Sequence, residues 1–332
     1  MDVLVIGGNR FMGVSLVWRL VFAGHRVTVL NRGNLRDPFG ARVERVRADR
    51  STDAFDAALA GRGFDRVVDL AGFTGDDLAR TVRVLGGQVG HYLFVSTGQV
   101  YLVREGCPRP ATEADYHGPV MAAPTVAGDH DDWAYGVGKR AAEDALAAAG
   151  SALPSTRIRI PMVNGERDPR RRLESYLWRI LDGGPLLVPY AGAIARHVYR
   201  GAVVEQVARL VDAPPAPGQA YNLAQAETPT VRELLIMLAE RAGAAPPEVL
   251  DVPPATLTAA GLPTRAVSPL STAWMSNLDP ARAVAELGFT HPALATYLDA
   301  MIAAMVSAWP TTPPDGFHHR AAELALAARW RG

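Results

Sequence analysis

The chain has 332 residues, 48% hydrophobic and 20% charged, an ordinary make-up for a soluble globular protein with room for one large domain or two small ones. Lys plus Arg and Asp plus Glu both count 34, so no net charge draws the chain to nucleic acid or to an anionic membrane. A single cysteine, Cys107, excludes an internal disulfide, and no Cys/His spacing has the form of a zinc site. No apolar run approaches the roughly 18 residues of a membrane span, and a first strand opening at Val3 leaves no room for a signal peptide. These features fit a reducing cytoplasm and a protein without metal.

In chain order, Val3-Leu4-Val5-Ile6 reads as a buried strand, followed by Gly7-Gly8 and an apolar helical run to Ala23. RVTVL at 26–30 is a second strand, DRVVDL at 65–70 and HYLFVS at 91–96 are later ones, and a helix lies between the last two at 77–85. Such alternation predicts right-handed βαβ crossovers and a doubly wound parallel sheet, an α/β fold. The stretch 103–131, rich in Pro, Gly and charge, reads as a long loop of the kind that carries function. A helix over 132–149 follows, with Asp132 as its expected N-cap and Gly150 as its stop. Beyond it come a strand at 157–160, a helix at 173–181 and a β-like run at 221–223. Clustered prolines after 240 suggest a smaller, less regular lobe. The expected division is a first domain over 1–160 with return segments near 195–225, and a second lobe over 161–195 and 226–332.

The turn Gly7-Gly8-Asn9-Arg10-Phe11-Met12-Gly13 joins the first strand to the first helix. Glycine there permits a tight turn and lets backbone N–H groups approach a pyrophosphate at a helix N-terminus. Arg10 replaces the middle glycine of a G-x-x-G-x-x-G pattern. After the second strand the chain has Asn31-Arg32, where an NAD enzyme carries an acidic residue for the ribose hydroxyls. A guanidinium binds a 2′-phosphate in forked geometry, so Arg32 and Arg10 favour NADP, with NAD as the alternative. The competing reading makes Arg32 a solvated surface arginine. Asp49, after the third strand, is placed either against the adenine amine or on the surface. Leu70, Ala71 and Gly72, and Pro161, extend the expected cofactor surface along later strand ends.

Tyr135-Gly136-Val137-Gly138-Lys139 sets a phenol and an ammonium four residues apart, on one helix face. The ammonium favours the phenolate and lowers the tyrosine pKa from about 10, which suits proton exchange with a carbonyl or hydroxyl oxygen while hydride moves to or from nicotinamide. Glycine inside a helix costs about 1 kcal/mol relative to alanine, so Gly136 and Gly138 imply a reason to keep that face low. Thr97, in Val95-Ser96-Thr97-Gly98-Gln99-Val100-Tyr101 at the end of a parallel strand, is a candidate partner for the substrate carbonyl, or else caps a turn.

On these residues the chain resembles the extended short-chain dehydrogenase/reductases, the NAD-dependent epimerase/dehydratase group. The likeness includes Arg159–Gly165 (RIPMVNG), Tyr221-Asn222-Leu223 and Leu287-Gly288-Phe289, and runs over nearly nine-tenths of the chain. It implies a Rossmann domain with a smaller C-terminal substrate lobe, Thr97, Tyr135 and Lys139 as the catalytic residues, and a homodimer or monomer acting on a small molecule. The family's hydroxyl residue, four before the tyrosine of S-x-x-V-Y, selects Thr97 over Ser96.

Within the family, Gly98-Gln99 stand where dehydratases carry Asp-Glu, and Met162 stands at the asparagine of R-x-x-N-V-Y-G. Matched on His197, Ala193 holds the place of a diphosphate-binding Arg and Arg200 that of an Asp, with Arg196 or Arg200 as substitutes. These departures point to an NADPH-dependent reductase of a small carbonyl compound, with an NAD(P)-dependent epimerase of the sugar-nucleotide type as the alternative. The Gly-Gly-x-Arg-Phe-x-Gly opening also resembles chloroplast stem-loop RNA-binding relatives of the fold, and Arg167-Asp168-Pro169-Arg170-Arg171-Arg172 is the one run that suits phosphates. In a neutral chain a solvated helix start explains that run as well. A non-catalytic NADP sensor is the other non-enzyme reading, although such relatives often lack the Tyr/Lys pair. His197 reads as a packed histidine, Asp131-Asp132 as a helix cap, and Trp133, Tyr176, Trp178 and Tyr190 as pocket or core aromatics.

Overall fold

The computed structural model describes residues 1–195 and 197–331, which fall into two compact units. The first holds Met1–Pro161, Arg200–Ala224 and Leu278–Thr290; the second holds Met162–Tyr199, Gln225–Asn277 and the chain from His291 on. The strands are β1 (Asp2–Ile6), β2 (Arg26–Asn31), β3 (Glu44–Arg47), β4 (Phe64–Asp69), β5 (Val89–Thr97), β6 (Ser155–Ile160), β7 (Met162–Asn164), β8 (Leu186–Leu187), β9 (His197–Tyr199), β10 (Ala220–Asn222) and β11 (Val249–Leu250). The helices are α1 (Phe11–Phe22), α2 (Asp53–Leu59), α3 (Gly75–Leu85), α4 (Gln99–Leu102), α5 (Ala127–Ala149), α6 (Arg172–Leu181), α7 (Arg200–Asp212), α8 (Val231–Arg241), α9 (Pro254–Ala259), α10 (Thr264–Val267), α11 (Ala281–Leu287), α12 (Leu294–Ser307) and α13 (Arg320–Arg331).

In the first unit seven strands form one sheet in the order β10-β6-β5-β4-β1-β2-β3, each neighbouring pair parallel. A parallel sheet is buried on both faces, which is why its central strands read as continuous apolar runs. Leu4 and Ile6 enter a core shared with Phe55, Leu78, Leu85, Ala142 and Leu146 of α2, α3 and α5. On the other face, Leu16, Val17 and Leu20 of α1 are buried, and α1 packs on α7. From β1 the strand order runs outward to β2 and β3 on one side and to β4 on the other. The carboxyl ends diverge there, and this is the switch point at which a doubly wound, Rossmann-type sheet takes a ligand.

The second unit has two short parallel pairs, β7 with β9 and β8 with β11. Its core gathers Leu173, Tyr176 and Leu177 of α6, Leu234, Leu235 and Leu238 of α8, and Leu294, Tyr297 and Leu298 of α12. A buried ion pair of Arg179 with Glu323 joins α6 to α13.

Three boundaries differ from expectation. Helix α5 begins at Ala127 behind Val126, so Asp132 lies inside the helix rather than at its N-cap. The segment 103–131 is not structureless: it carries a 3-10 turn at Glu113–Tyr116 and bridges Arg104 to Val120 and Ala111 to Leu278. Finally, 278–290 belongs to the first unit rather than to the lobe. Asn222 at the sheet edge donates to the Ala111 and Asp279 carbonyls, Tyr221 donates to Glu286, and Arg282 donates to Gln219, so this segment covers β10.

Candidate functional site

The glycine turn is built by exclusion. Gly7 has φ +91°, a conformation that side chains disfavour, and a Cβ on it would stand 2.9 Å from the Ala71 Cβ. On Gly8 a Cβ would meet Val17 at 2.8 Å, and on Gly13 it would meet the Gly8 Cα at 2.9 Å. Three missing methyl groups therefore let β1, α1 and the end of β4 close on one another. Gly7 and Ala71, predicted separately from two strand ends, are brought together. Leu70 donates its N–H to Ile6, and a Cβ on Gly72 would collide with Leu78 at 2.7 Å. Helix α1 has no acidic residue in its first turn, so nothing there opposes an anion at its N-terminus. Arg10 is the exposed N-cap, Asn9 donates to the Leu35 carbonyl at 3.5 Å, Phe11 and Met12 open the helix half-buried, and Pro161 is buried just past β6. The Phe11 ring has the Arg200 guanidinium 5.6 Å from its centre. Arg196 lies outside the described residues.

At the β2 end, the Asn31 side-chain oxygen Oδ1 accepts from the Gly33 N–H at 2.8 Å and from the Arg47 guanidinium. Arg32 projects into solvent, its side chain 68% exposed, 4.0 Å from Asp49. The Asp49 carboxylate accepts from the Ser51 N–H and hydroxyl, which hold it below the usual carboxylate range. Arg47, which the sequence did not flag, thus adds a second guanidinium beside Arg32 and Asn31.

Lys139 is 3% exposed. Its ammonium donates to the Val95 carbonyl at 3.0 Å and lies 4.6 Å from the centre of the Phe94 ring and 5.2 Å from that of Phe73. Burial pushes its pKa down to about 8, against the opposing charges of Asp69 and Glu143. Tyr135, one turn earlier on the same face, is 37% exposed, its ring 6.3 Å from that of Phe73. Gly136, next to Tyr135, lies against the Gln99 carbonyl two residues past Thr97, so this turn of α5 stands at the carboxyl end of β5. The Thr97 hydroxyl accepts from the Gln99 N–H at 3.3 Å. The Ser96 hydroxyl donates to Glu143.

Both glycines of the Tyr135/Lys139 segment have a steric reason. A Cβ on Gly136 would lie 2.6 Å from Val103 and 2.9 Å from the Gln99 carbonyl oxygen. On Gly138 it would lie 2.8 Å from the carbonyl oxygen of Phe73. They admit α4 and the β4–α3 loop against the helix.

Two signals escaped the sequence reading. Among 34 Lys plus Arg residues Lys139 is the single lysine, at the one position where an amine that titrates differs in use from a guanidinium. The other is a buried polar network behind the site. Arg159 on β6 binds both carboxylate oxygens of Glu143 and donates to the Tyr101 hydroxyl at 2.7 Å, which donates in turn to Asn222 at 2.9 Å. Glu113, raised by burial, accepts from the Asn222 N–H. Glu143 stands four residues after Lys139, and that spacing was the available clue.

His197 is buried with Tyr297 against it, and Tyr176 bonds to Ser268 in the core. Trp133 donates to the Met121 carbonyl, Trp178 packs between Trp309 and Phe317, and Tyr190 is partly exposed.

No family model matches the chain. It is 33% identical over 148 residues to 2'-dehydrokanamycin reductase of Streptomyces kanamyceticus, covering 44% of this chain and 38% of the relative. It is 27% identical over 128 residues to the chloroplast stem-loop binding protein of 41 kDa b of Arabidopsis thaliana, covering 34% of this chain and 33% of the relative. The matches thus span about a third of each relative's length. Among solved structures, UDP-glucose 4-epimerase of Thermotoga maritima superposes with a TM-score of 0.70 at 19% identity over 93% of this chain and 100% of that one. The Thermus thermophilus UDP-glucose 4-epimerase complex with NAD gives 0.69 at 22% identity, again over 93% and 100%. The dTDP-glucose 4,6-dehydratase of Streptomyces venezuelae, with NAD bound, gives 0.69 at 19% identity over 93% and 98%. The chain has the fold of the extended short-chain dehydrogenase/reductases.

Proposed function

We propose that the chain is an NADPH-dependent reductase of a small carbonyl compound, a member in activity as well as fold of the extended short-chain dehydrogenase/reductases. The observation that carries this reading is Lys139: the one lysine of the chain, buried against β5 with a depressed pKa, one helical turn from a partly exposed tyrosine. An ammonium beside a phenol favours the phenolate, so Tyr135 parts with its proton more readily than a free tyrosine.

The slot left by Gly7, Gly8 and Gly13 and the acid-free start of α1 fit a dinucleotide pyrophosphate. Asn9, Arg10, Met12 and the Leu70-Ala71-Gly72 loop would line it, and Arg32, supported by Arg47, would meet a 2′-phosphate. A bound nicotinamide supplies the hydride. Thr97 offers its hydroxyl to the substrate oxygen while Tyr135 transfers its proton to that oxygen, and the resulting phenolate is held by Lys139. Substrate binding is assigned to the second unit.

The reductase match from Streptomyces supports reduction over epimerisation, and Gly98-Gln99 in place of the Asp-Glu of dehydratases argues against elimination. For RNA binding, the run at 167–172 is poorly placed. Arg171 is spent on Glu174 and on the Thr312 and Pro313 carbonyls, and Arg172 on Asp168. Purified protein incubated with a panel of ketones and aldehydes is expected to consume NADPH faster than NADH. Tight retention of cofactor without net consumption, together with inversion of a sugar-nucleotide carbon, would establish the epimerase instead.

A further inference from the structure

We propose that Glu143 is a positioning residue for the Tyr135/Lys139 pair: it rivets helix α5 to the sheet and sets a buried negative charge one turn from the lysine. The inference rests on the reading of that pair as the reactive one.

The geometry is a double stitch between one helix and one strand. Lys139 donates to the Val95 carbonyl at 3.0 Å, and the next strand residue, Ser96, donates its hydroxyl to Glu143. Positions 139 and 143 are one helical turn apart, so two bonds at adjacent strand residues fix both the height and the rotation of α5. One turn the other way, Tyr135 adjoins Gly136, whose backbone lies against the Gln99 carbonyl two residues past Thr97. A shift of α5 would separate that phenol from that hydroxyl, and misplacement of about 1 Å costs catalysis heavily.

A second strand holds the same carboxylate. Arg159 of β6 grips both oxygens, with contacts of 3.1 and 2.6 Å, and is itself fixed by Tyr101 and through it by Asn222 of β10. Against the desolvation of burial, Glu143 and Tyr101 hold the Arg159 guanidinium above its ordinary range. Glu143 is 2% exposed, so its charge acts through a poorly screening medium.

Four charged groups act most strongly on Lys139. Asp69 at the end of β4, Asp77 of α3 and Glu143 of its own helix favour its proton; Arg50, after β3, opposes it. Asp69 is already engaged by Arg50, Tyr92 and the Ala71 N–H, and Asp77 by Arg50 and the cap of α3. Of the three carboxylates, Glu143 alone is carried on the same helix as the lysine and the tyrosine, so one side chain bears on both their position and the lysine's charge.

The test uses the intact protein and the fact that it contains one lysine. Grown on isotope-labelled lysine, the chain gives the side-chain NMR signals of Lys139 alone, and their pH titration reads its pKa with no substrate required. The wild type is expected to titrate near 8. Glu143→Gln combined with Arg159→Met removes both charges, so that no buried ion is stranded. It is expected to lower that midpoint by about one unit and to reduce turnover at least tenfold. Ser96→Ala keeps both charges and cuts only the strand tether. It is expected to leave the midpoint in place while lowering kcat.

A double variant that melts earlier but titrates like the wild type would reduce Glu143 to a structural part and overturn the proposal. So would a Ser96→Ala protein with unchanged kcat. Wild-type protein that turns over no carbonyl, with the midpoint still moving in the double variant, would remove the reductase reading and leave the electrostatic coupling standing.

Discussion

Gly138 lies against the carbonyl of Phe73, so closely that a Cβ would stand 2.8 Å from its oxygen. The Phe73 N–H donates to Asp77, and Thr74 caps α3, so the loop that meets the helix has no slack. Alanine has the better helix propensity by about 1 kcal/mol, but the backbone oxygen cannot yield. Gly138→Ala is therefore expected to destabilise by about 1–3 kcal/mol and to lower activity by moving Tyr135. Gly128, on the same helix with open space around it, is the comparison. Gly128→Ala should raise stability by up to about 1 kcal/mol. Urea unfolding of the two variants decides it, since both losing stability would point to helix flexibility rather than contact.

Removing the phenol separates chemistry from binding. Tyr135→Phe is expected to lower kcat by about a hundredfold or more while cofactor Kd changes little, because the hydroxyl contributes a proton rather than a grip. Calorimetric titration beside steady-state turnover measures both, and a fully active variant would exclude Tyr135 as the acid.

At the β2 end, Arg32→Ala should weaken NADP binding by tenfold or more and leave NAD within about twofold. Asp49, 4.0 Å away, would then face the ribose without its counter-charge. Equal loss for the two cofactors would mean that Arg32 meets no 2′-phosphate.

Reduction should fade as pH rises. Lys139, depressed to about 8 by burial, loses its proton through that pH, and with it goes the charge that favours the phenolate. The rate of carbonyl reduction is thus expected to fall above about pH 8. A rate flat to pH 10 would place the controlling group elsewhere.

Stability should respond at the acid side. His91, buried and bonded to Thr156, has its pKa lowered to about 4 by burial and by Arg66. The unfolded chain binds a proton from about pH 6.5 downward and the folded chain only near 4, so stability falls as pH falls through that window. The contribution is up to about 3 kcal/mol for a shift of that size. Thermal melting of wild type and His91→Gln between pH 7 and 4 checks it: the variant should lose less.

The parallel sheet was legible because buried strands are apolar on both faces, and Val3–Ile6 and RVTVL need no partner to be recognised. Gly7 and Gly13 were legible for a related reason, since local backbone geometry demands them. The start of α5 was not, because Val126 offers no capping side chain and the Asp pair further on imitates one. Glu143 and Arg159 were hidden by chemistry: charged residues normally lie at the surface, and only their pairing across 16 positions makes burial tolerable. Likewise Asn222 holds 278–290 through a backbone carbonyl, which no residue pattern announces.

The first unit is assembled from three separate stretches of chain, and its edge strand arrives only at residues 220–222. A fragment ending at 161 would expose the hydrogen-bonding edge of β6, strip α7 from α1, and leave Arg159 and Tyr101 without the amide that completes their chain of bonds. Such a fragment should aggregate rather than fold. Limited proteolysis should accordingly yield no autonomous dinucleotide-binding piece, and transplanting the second unit onto a relative would require splices at every crossing of the chain.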